Sequence, residues 1–338
     1  MPAKTSMTKI GSVELPDFPL ILAPMEDISD PPFRVLCKEM GVDLMFTEFI
    51  SSEGLIRDAA KSAKKLDIFE AERPIGIQVF GHDINSMLKA VEKIEEAQPD
   101  MIDINYGCPV KKVVAKGAGA GILRDLDKMQ KMTAEIVKHT KLPVTVKTRL
   151  GWDDNSIVIN EVTERLQDVG IQALSIHGRT RKQMYSGKAD WHKIAEVKHN
   201  PKIHIPIFAN GDIKSPEDAL RIRNEFGLDG AMIGRAAIGY PWIFREIKHF
   251  FSTGEIQPPP SIPERLRVVK KHLELAIQWK GERLGILETR PHYSNYFKAV
   301  ANFKQFRIRL VTEDNLEEIY RIFDEIEIYY SKNESGSP

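Results

Sequence analysis

Cys108 stands between Gly107 and Pro109 in a stretch, Asp103 to Leu123, that reads DINYGCPVKKVVAKGAGAGIL. The glycines suggest a nucleotide cradle, but the spacing is GxGxG, with Ile122 where the third glycine of GxGxxG would fall. Two lysines also precede them in place of a clean buried strand, so a dinucleotide or P-loop function is set aside. The glycines read instead as a flexible loop that closes over a substrate. A thiolate nucleophile wants a histidine or a helix N-terminus beside it, and no histidine adjoins Cys108 in sequence. A neutral thiol that gives up a proton is the equal alternative. Cys37, in FRVLCKEMG, has helically spaced apolar neighbours and reads as an inert core group. Two cysteines make no disulfide framework and no metal-ligand spacing.

Other polar groups sit where an anion or a planar ligand would want them. In LPVTVKTRL, Thr145, Lys147 and Arg149 share one strand face, and Val144, Val146 and Thr148 share the other. A buried lysine needs an anionic or electron-rich partner, so Lys147 is a candidate cofactor contact, against a plain capping ion pair. Ser175 and His177 likewise share a face, with Gly178 and Arg179 just beyond. Gln78 is polar inside the apolar run IGIQVF, where a ligand with carbonyl and imide edges, or a neighbouring side chain, would satisfy its amide. Asn210, Gly211 and Asp212 form NGD, and Gly234 and Arg235 close the run GAMIGR. Glycine lets backbone amides approach an anion and arginine can hold it bidentately, so these two places favour a phosphate. NGD is also an ordinary turn sequence.

These groups need elements to hold them. Eight short apolar runs occur: Pro19 to Met25, Leu44 to Ile50, Ile75 to Phe80, Met101 to Asn105, Leu142 to Leu150, Ala173 to Gly178, Ile205 to Gly211 and Gly230 to Arg235. Segments such as INSMLKAVEKIEEA and DKMQKMTAEIVKHT between them have helical spacing, so strand and helix alternate. Polar and glycine residues gather at the C-terminal ends of nearly all the runs. That predicts an α/β fold, a (β/α)8 TIM barrel with one active face, over a doubly wound sheet with one crevice. Phosphate sites in such barrels follow strands seven and eight, where NGD and Gly234–Arg235 fall.

Pro258 to Pro260 and Pro263 interrupt the chain, and helical spacing resumes in LRVVKKHLELAIQW and LEEIYRIFDEIEIYY. The expected organisation is a barrel over 1–253, a proline-rich linker over 254–263, a small C-terminal helical domain over 264–331 and a disordered tail over 332–338. The 338 residues balance 48 Lys and Arg against 48 Asp and Glu, so no global field draws the protein to nucleic acid. Locally the balance breaks: Arg265 to Arg309 holds 11 Lys or Arg and 3 Glu, and Leu310 to Pro338 holds 2 and 8 acids. The basic stretch is either a solvated helix surface or a phosphate-backbone contact, with Tyr293, Tyr296, Phe297, Phe303 and Phe306 interleaved and several of them core. No run of 18 apolar residues could span a bilayer, and the N-terminus lacks a secretory pattern, so a cytoplasmic, monomeric protein without a membrane is expected.

Taken in order, LAPMEDISDPPFR, QVFG, DINYGCP with KGAGAGILRD, VKTRLGWDD, HGRTRKQMYSGKADW, IFANGDI and DGAMIGRAA resemble the tRNA-dihydrouridine synthases, flavin enzymes that reduce uridine in tRNA. The likeness runs from about Leu20 to Trp242 and more weakly through the basic tail, nearest the bacterial branch. It implies FMN, with NADPH or NADH as reductant and tRNA as partner. Pro24, Met25 and Glu26 would line the isoalloxazine, with only a backbone contact from Glu26. Gln78 and Lys147 would meet the ring edge, with His177 near it. Asn210, Gly211, Asp212, Gly234 and Arg235 would hold the phosphate, and Asn105 and Arg179 would lie on the substrate side. Hydride from reduced FMN would reach C6 of the uracil and Cys108 would protonate C5. The alternative is a small-molecule FMN oxidoreductase of the dihydroorotate or dihydropyrimidine dehydrogenase type, which leaves the basic stretch unused.

Overall fold

The computed structural model describes residues 7–334. Eight parallel strands close on themselves: β1 Leu20–Leu22, β2 Leu44–Phe46, β3 Ile75–Phe80, β4 Met101–Asn105, β5 Val144–Arg149, β6 Ala173–His177, β7 Ile207–Asn210 and β8 Gly230–Ile233. Neighbours in sequence pair throughout, β8 pairs with β1, and β2 meets β3, which completes a TIM barrel. The strands are shorter than the apolar runs because the last residues of most runs leave the ladder and turn into the loops that carry the polar groups.

Parallel register puts like faces in rows across the barrel. Gln78 stands opposite Asp103 and Asp103 opposite Thr145. Asn105 faces Lys147, Lys147 faces Ser175, Arg149 faces His177, and His177 faces Asn210. Val144 and Val146 turn the other way into the core between sheet and helices. Helices are started by side-chain caps: Asp30 accepts from the Phe33 amide with Pro31 and Pro32 in the first turn, and Asp125, Asp190 and Ser215 do the same work elsewhere.

A hairpin of Thr8–Ile10 and Val13–Leu15 closes the N-terminal end of the barrel. Its Ile10 and Leu15 join Ile21, Leu44, Phe46, Met101, Ala173, Phe208 and Met232 in a separate apolar plug.

After the helix Trp242–Thr253, an irregular segment leads to four helices: Ile262–Lys280, Glu282–Tyr296, Lys304–Thr312 and Leu316–Glu334. Residues 332–334, expected in a disordered tail, continue the last helix, and 335–338 lie outside the described residues. The helices dock on the barrel through Phe33, whose ring lies 4.8 Å from that of His292 and 5.7 Å from that of His272. Lys280 Nζ meets Asp30 at 2.5 Å in the same joint.

The interleaved aromatics, of which several were expected in the core, are all core: Tyr293, Tyr296 and Phe306 are buried from within helices, and Phe297 and Phe303 stack on each other at the junction between two of them. Part of the basic stretch is also consumed within the fold. Arg265 is buried and donates to the carbonyls of Pro260 and Tyr296. Lys270, Arg290 and Arg309 pair with Asp324, Asp314 and Glu325 from the acidic tail. Arg267, Arg283, Lys298, Lys304 and Arg307 are exposed and form no ion pair among the described residues.

Candidate active site

The C-terminal ends of the strands bring the singled-out residues to one mouth. Cys108, on the loop after β4, is 6% exposed. Asn105 Oδ1 accepts from the amides of Gly107 and Cys108, both at 2.9 Å, and so bends the loop over its own side chain. Arg149 donates from Nε to the Gly107 carbonyl at 2.7 Å, and from Nη1 to the carbonyls of Thr180 and Met184. One guanidinium therefore ties the loops after β4 and β6 together.

The glycine segment is packed, where a flexible loop was expected. Gly119 to Leu123 are buried, and the Ala120 amide donates to the Cys108 carbonyl at 3.0 Å. Gly119 has φ 52°, and a Cβ there would lie 2.8 Å from the Cys108 carbonyl oxygen. The glycines serve close approach of one backbone to another. Burial raises the Cys108 thiol above its ordinary value, against the Val110 amide and Arg149, so it is a neutral thiol at pH 7.

Below the cysteine loop runs a buried polar string. Asn105 Nδ2 donates to Gln78 Oε1 at 2.8 Å, Gln78 Nε2 donates to Asp103 at 2.5 Å, and Thr145 Oγ1 donates to the other Asp103 oxygen at 2.6 Å. Burial pushes the Asp103 carboxyl up to about 6. Lys147 is half-buried beside this string, and burial together with Arg149 brings its ammonium down to about 8. Asn105 keeps one amide proton beyond these contacts, so the base contact expected of it rests on that proton alone.

Across the mouth, His177 Nε2 lies 3.3 Å from Arg179 Nη1. A guanidinium can only donate, so Nε2 accepts and Nδ1 carries the proton. Burial and then the cations Arg149, Lys147, Arg179 and Arg235 hold His177 far below its ordinary value, in the neutral form. Arg179 is buried and spends its donors on the carbonyls of Ser186 and Gly187 and on Asp212 at 2.6 Å. These bonds position the guanidinium, and the substrate contact expected of it would rest on the one Nη1 proton left over.

The Asp212 side chain is likewise committed to protein groups. Its carboxylate faces Arg179, the Ala189 amide and Arg235, so only its backbone can serve a phosphate. Burial alone would raise this carboxyl, but the Ala189 amide and Arg179 outweigh it and hold it below the usual range. Asn210 Nδ2 donates to the Met232 carbonyl and so aligns β7 with β8. Gly211 has φ 106°, and a Cβ there would lie 2.7 Å from the His177 ring. Among the described residues the amides of Gly211, Asp212, Gly234 and Arg235 reach no acceptor.

Pro24 and Met25 are half-buried on the loop after β1, and Met25 is fixed by reciprocal bonds with the Ser29 hydroxyl. Met25 Sδ lies 3.5 Å from where a Cβ of Gly234 would stand, so the loops after β1 and β8 meet beside one another at the mouth. The Glu26 side chain turns outward to Lys65 at 2.6 Å, which leaves the backbone contact alone.

Sequence inspection passed over Asp103, the clamp made by Arg149, and Glu48. Asp103 shares a strand face with Asn105 two residues on, which period-two reading could have flagged. Glu48, at the end of LMFTE, is 6% exposed with Oε1 unpartnered, and burial raises it to about 7.

The chain resembles known proteins along most of its length. The family model described as dihydrouridine synthase (Dus) matches residues 21–327. The chain is 38% identical over 302 residues to the tRNA-dihydrouridine synthase B of Pseudomonas aeruginosa, covering 89% of this chain and 90% of that one. It is 37% identical to the probable tRNA-dihydrouridine synthase 1 of a Synechocystis strain, with 94% and 88% coverage. Among solved structures, histamine dehydrogenase from a Rhizobium strain superposes with a TM-score of 0.56 at 13% identity, over 80% of this chain and 50% of that one, a likeness of fold alone. The chain spans about half the length of that structure.

Proposed function

The chain belongs to the dihydrouridine synthase family, and from that premise we propose that it reduces the C5–C6 double bond of uridines in tRNA, with FMN as cofactor and NADPH or NADH as reductant. The observation that carries this is a neutral, buried Cys108 thiol held by Asn105 and Arg149 at the same barrel end as Lys147, His177 and the loops after β7 and β8.

The residues present suit FMN. Four amides without acceptors among the described residues, a left-handed Gly211 and the Arg235 guanidinium would make a phosphate cradle after β7 and β8, with Met25 packed beside Gly234 next to it. When bound and reduced, FMN would supply a hydride to C6 of the uracil. Lys147, charged at pH 7 and partly exposed, would meet the ring edge and stabilise negative charge there. Gln78, fully buried, would act on the same edge from beneath, by orienting Asn105. His177, neutral, would contribute shape without adding charge to a mouth already rich in cations. Cys108, as a thiol, would deliver its proton to C5, which a thiolate could not do. Its burial keeps bulk water from competing for the site.

The exposed, unpaired Arg283, Lys298, Lys304 and Arg307 favour an RNA partner over a small-molecule substrate, since only a polyanion would use them. The test is direct. The purified protein should be yellow and release FMN on denaturation, and Cys108→Ala should keep FMN and tRNA while losing most uridine reduction. A colourless protein, or a variant with unchanged turnover, would overturn it.

A further inference from the structure

The buried string under the cysteine loop has a fixed polarity. At one end stands Asp103, whose carboxylate only accepts, taking Thr145 Oγ1 on one oxygen and Gln78 Nε2 on the other. At the far end stand the amides of Gly107 and Cys108, which only donate, into Asn105 Oδ1. The two side-chain amides between them, Gln78 and Asn105, have one orientation that satisfies both ends. Turning either amide over would set donor against donor or oxygen against oxygen in a site where Gln78 and Asp103 are fully buried.

We propose that Asp103 is a positioning residue that sets the amide orientation of Gln78 and, through Asn105, the presentation of the Cys108 loop. It touches no substrate itself. The consequence rests on the proposed function: the side chain expected at the flavin edge and the acid expected at C5 belong to one string of bonds, so ring and thiol are held in register from beneath.

The string predicts a compensation that mere burial would not. Gln78→Glu sets two carboxylates in contact, and at a pH high enough to ionise both, where the readouts below are taken, the string breaks. Adding Asp103→Asn restores it with new partners, because an Asn Nδ2 donates to the Glu carboxylate, which still accepts from Asn105. Asp103→Asn alone is mild, since the Thr145 hydroxyl can turn from donor to acceptor while the new amide oxygen keeps facing Gln78.

Two readouts that need no turnover test this on the purified protein: hydrogen exchange of the Gly107 and Cys108 amides, and the rate at which iodoacetamide alkylates Cys108. Gln78→Glu should speed that exchange about tenfold, the protection of roughly one hydrogen bond, and raise the alkylation rate. The double variant should return both near wild type. Where the single variant does not fold, recovery of a folded double variant is the same result. A silent Gln78→Glu, or a double variant no better than the single, would overturn the proposal. A colourless wild type whose loop still follows the compensation would sink FMN and leave the string standing; a yellow one without compensation would do the reverse.

Discussion

Gly119 and Gly117 are two glycines of one loop, both at positive φ, and they separate the cost of backbone conformation from the cost of crowding. Gly117 has φ 77° and open space where a Cβ would stand. Gly119 has φ 52°, and its Cβ would lie 2.8 Å from the Cys108 carbonyl oxygen and 3.0 Å from both the Cys108 Cβ and a Val113 methyl. An alanine in the left-handed region costs on the order of 1 kcal/mol, which is all that Gly117→Ala should show in urea unfolding. Gly119→Ala carries that cost and adds overlap with a backbone oxygen and two carbons in a packed setting, roughly 1–3 kcal/mol more. Relief of the clash must move Cys108 itself, and a displacement approaching 1 Å is worth about a hundredfold in rate. Single-turnover reduction of tRNA should therefore fall steeply in Gly119→Ala and stay near wild type in Gly117→Ala. Equal stability and equal turnover in the two variants would refute the contact between the glycine segment and the cysteine.

Cys108 alkylation by iodoacetamide should still be accelerating above pH 9, since burial holds its pKa above that of an ordinary thiol; a plateau below pH 8 would mean a thiolate. Reversing the charge of Arg283, Lys298, Lys304 and Arg307 together should weaken tRNA binding and flatten its dependence on salt, whereas Lys270 and Arg290, already paired, should matter less in a binding titration. Lys280→Met should destabilise the protein by about 3–5 kcal/mol in urea unfolding, because it strands the Asp30 carboxylate in the joint between barrel and helices. His272 is buried neutral with its pKa lowered from 6.5 to about 3, so the unfolded chain binds the proton first and stability is lost as pH falls below 6.5. His272→Gln should remove part of that slope in pH-dependent unfolding.

Elements with strong periodicity were legible from residues alone. The eight apolar runs mapped to eight strands because each buries both faces of a parallel ladder. The meeting of Lys147, His177 and Asn210 followed from the barrel, since register then does the rest. Roles inside the site were less legible. Arg179 and Asp212 have the types a ligand wants, yet they satisfy each other, and only three-dimensional geometry shows which charges are already spent. The string from Asp103 to Cys108 joins β3, β4 and β5, and pairings across strands leave no mark on the spacing within any one of them. Within the basic stretch, which cations are already paired was illegible for a similar cause, since Lys270, Arg290 and Arg309 meet acids from segments further along the chain.

The hairpin that plugs the N-terminal end has a kinetic meaning. With Ile10 and Leu15 seated in the floor, the described residues close that end of the barrel and leave the C-terminal mouth as the way in. Under the proposed function, a reductant and an RNA that both need the same ring would use it by turns, so a bulky RNA lying across the mouth would keep the electron donor out until it leaves. Steady-state rates measured against both substrates should then give parallel double-reciprocal lines, and an excess of tRNA should slow its own reduction by occupying the entrance before the cofactor has been recharged.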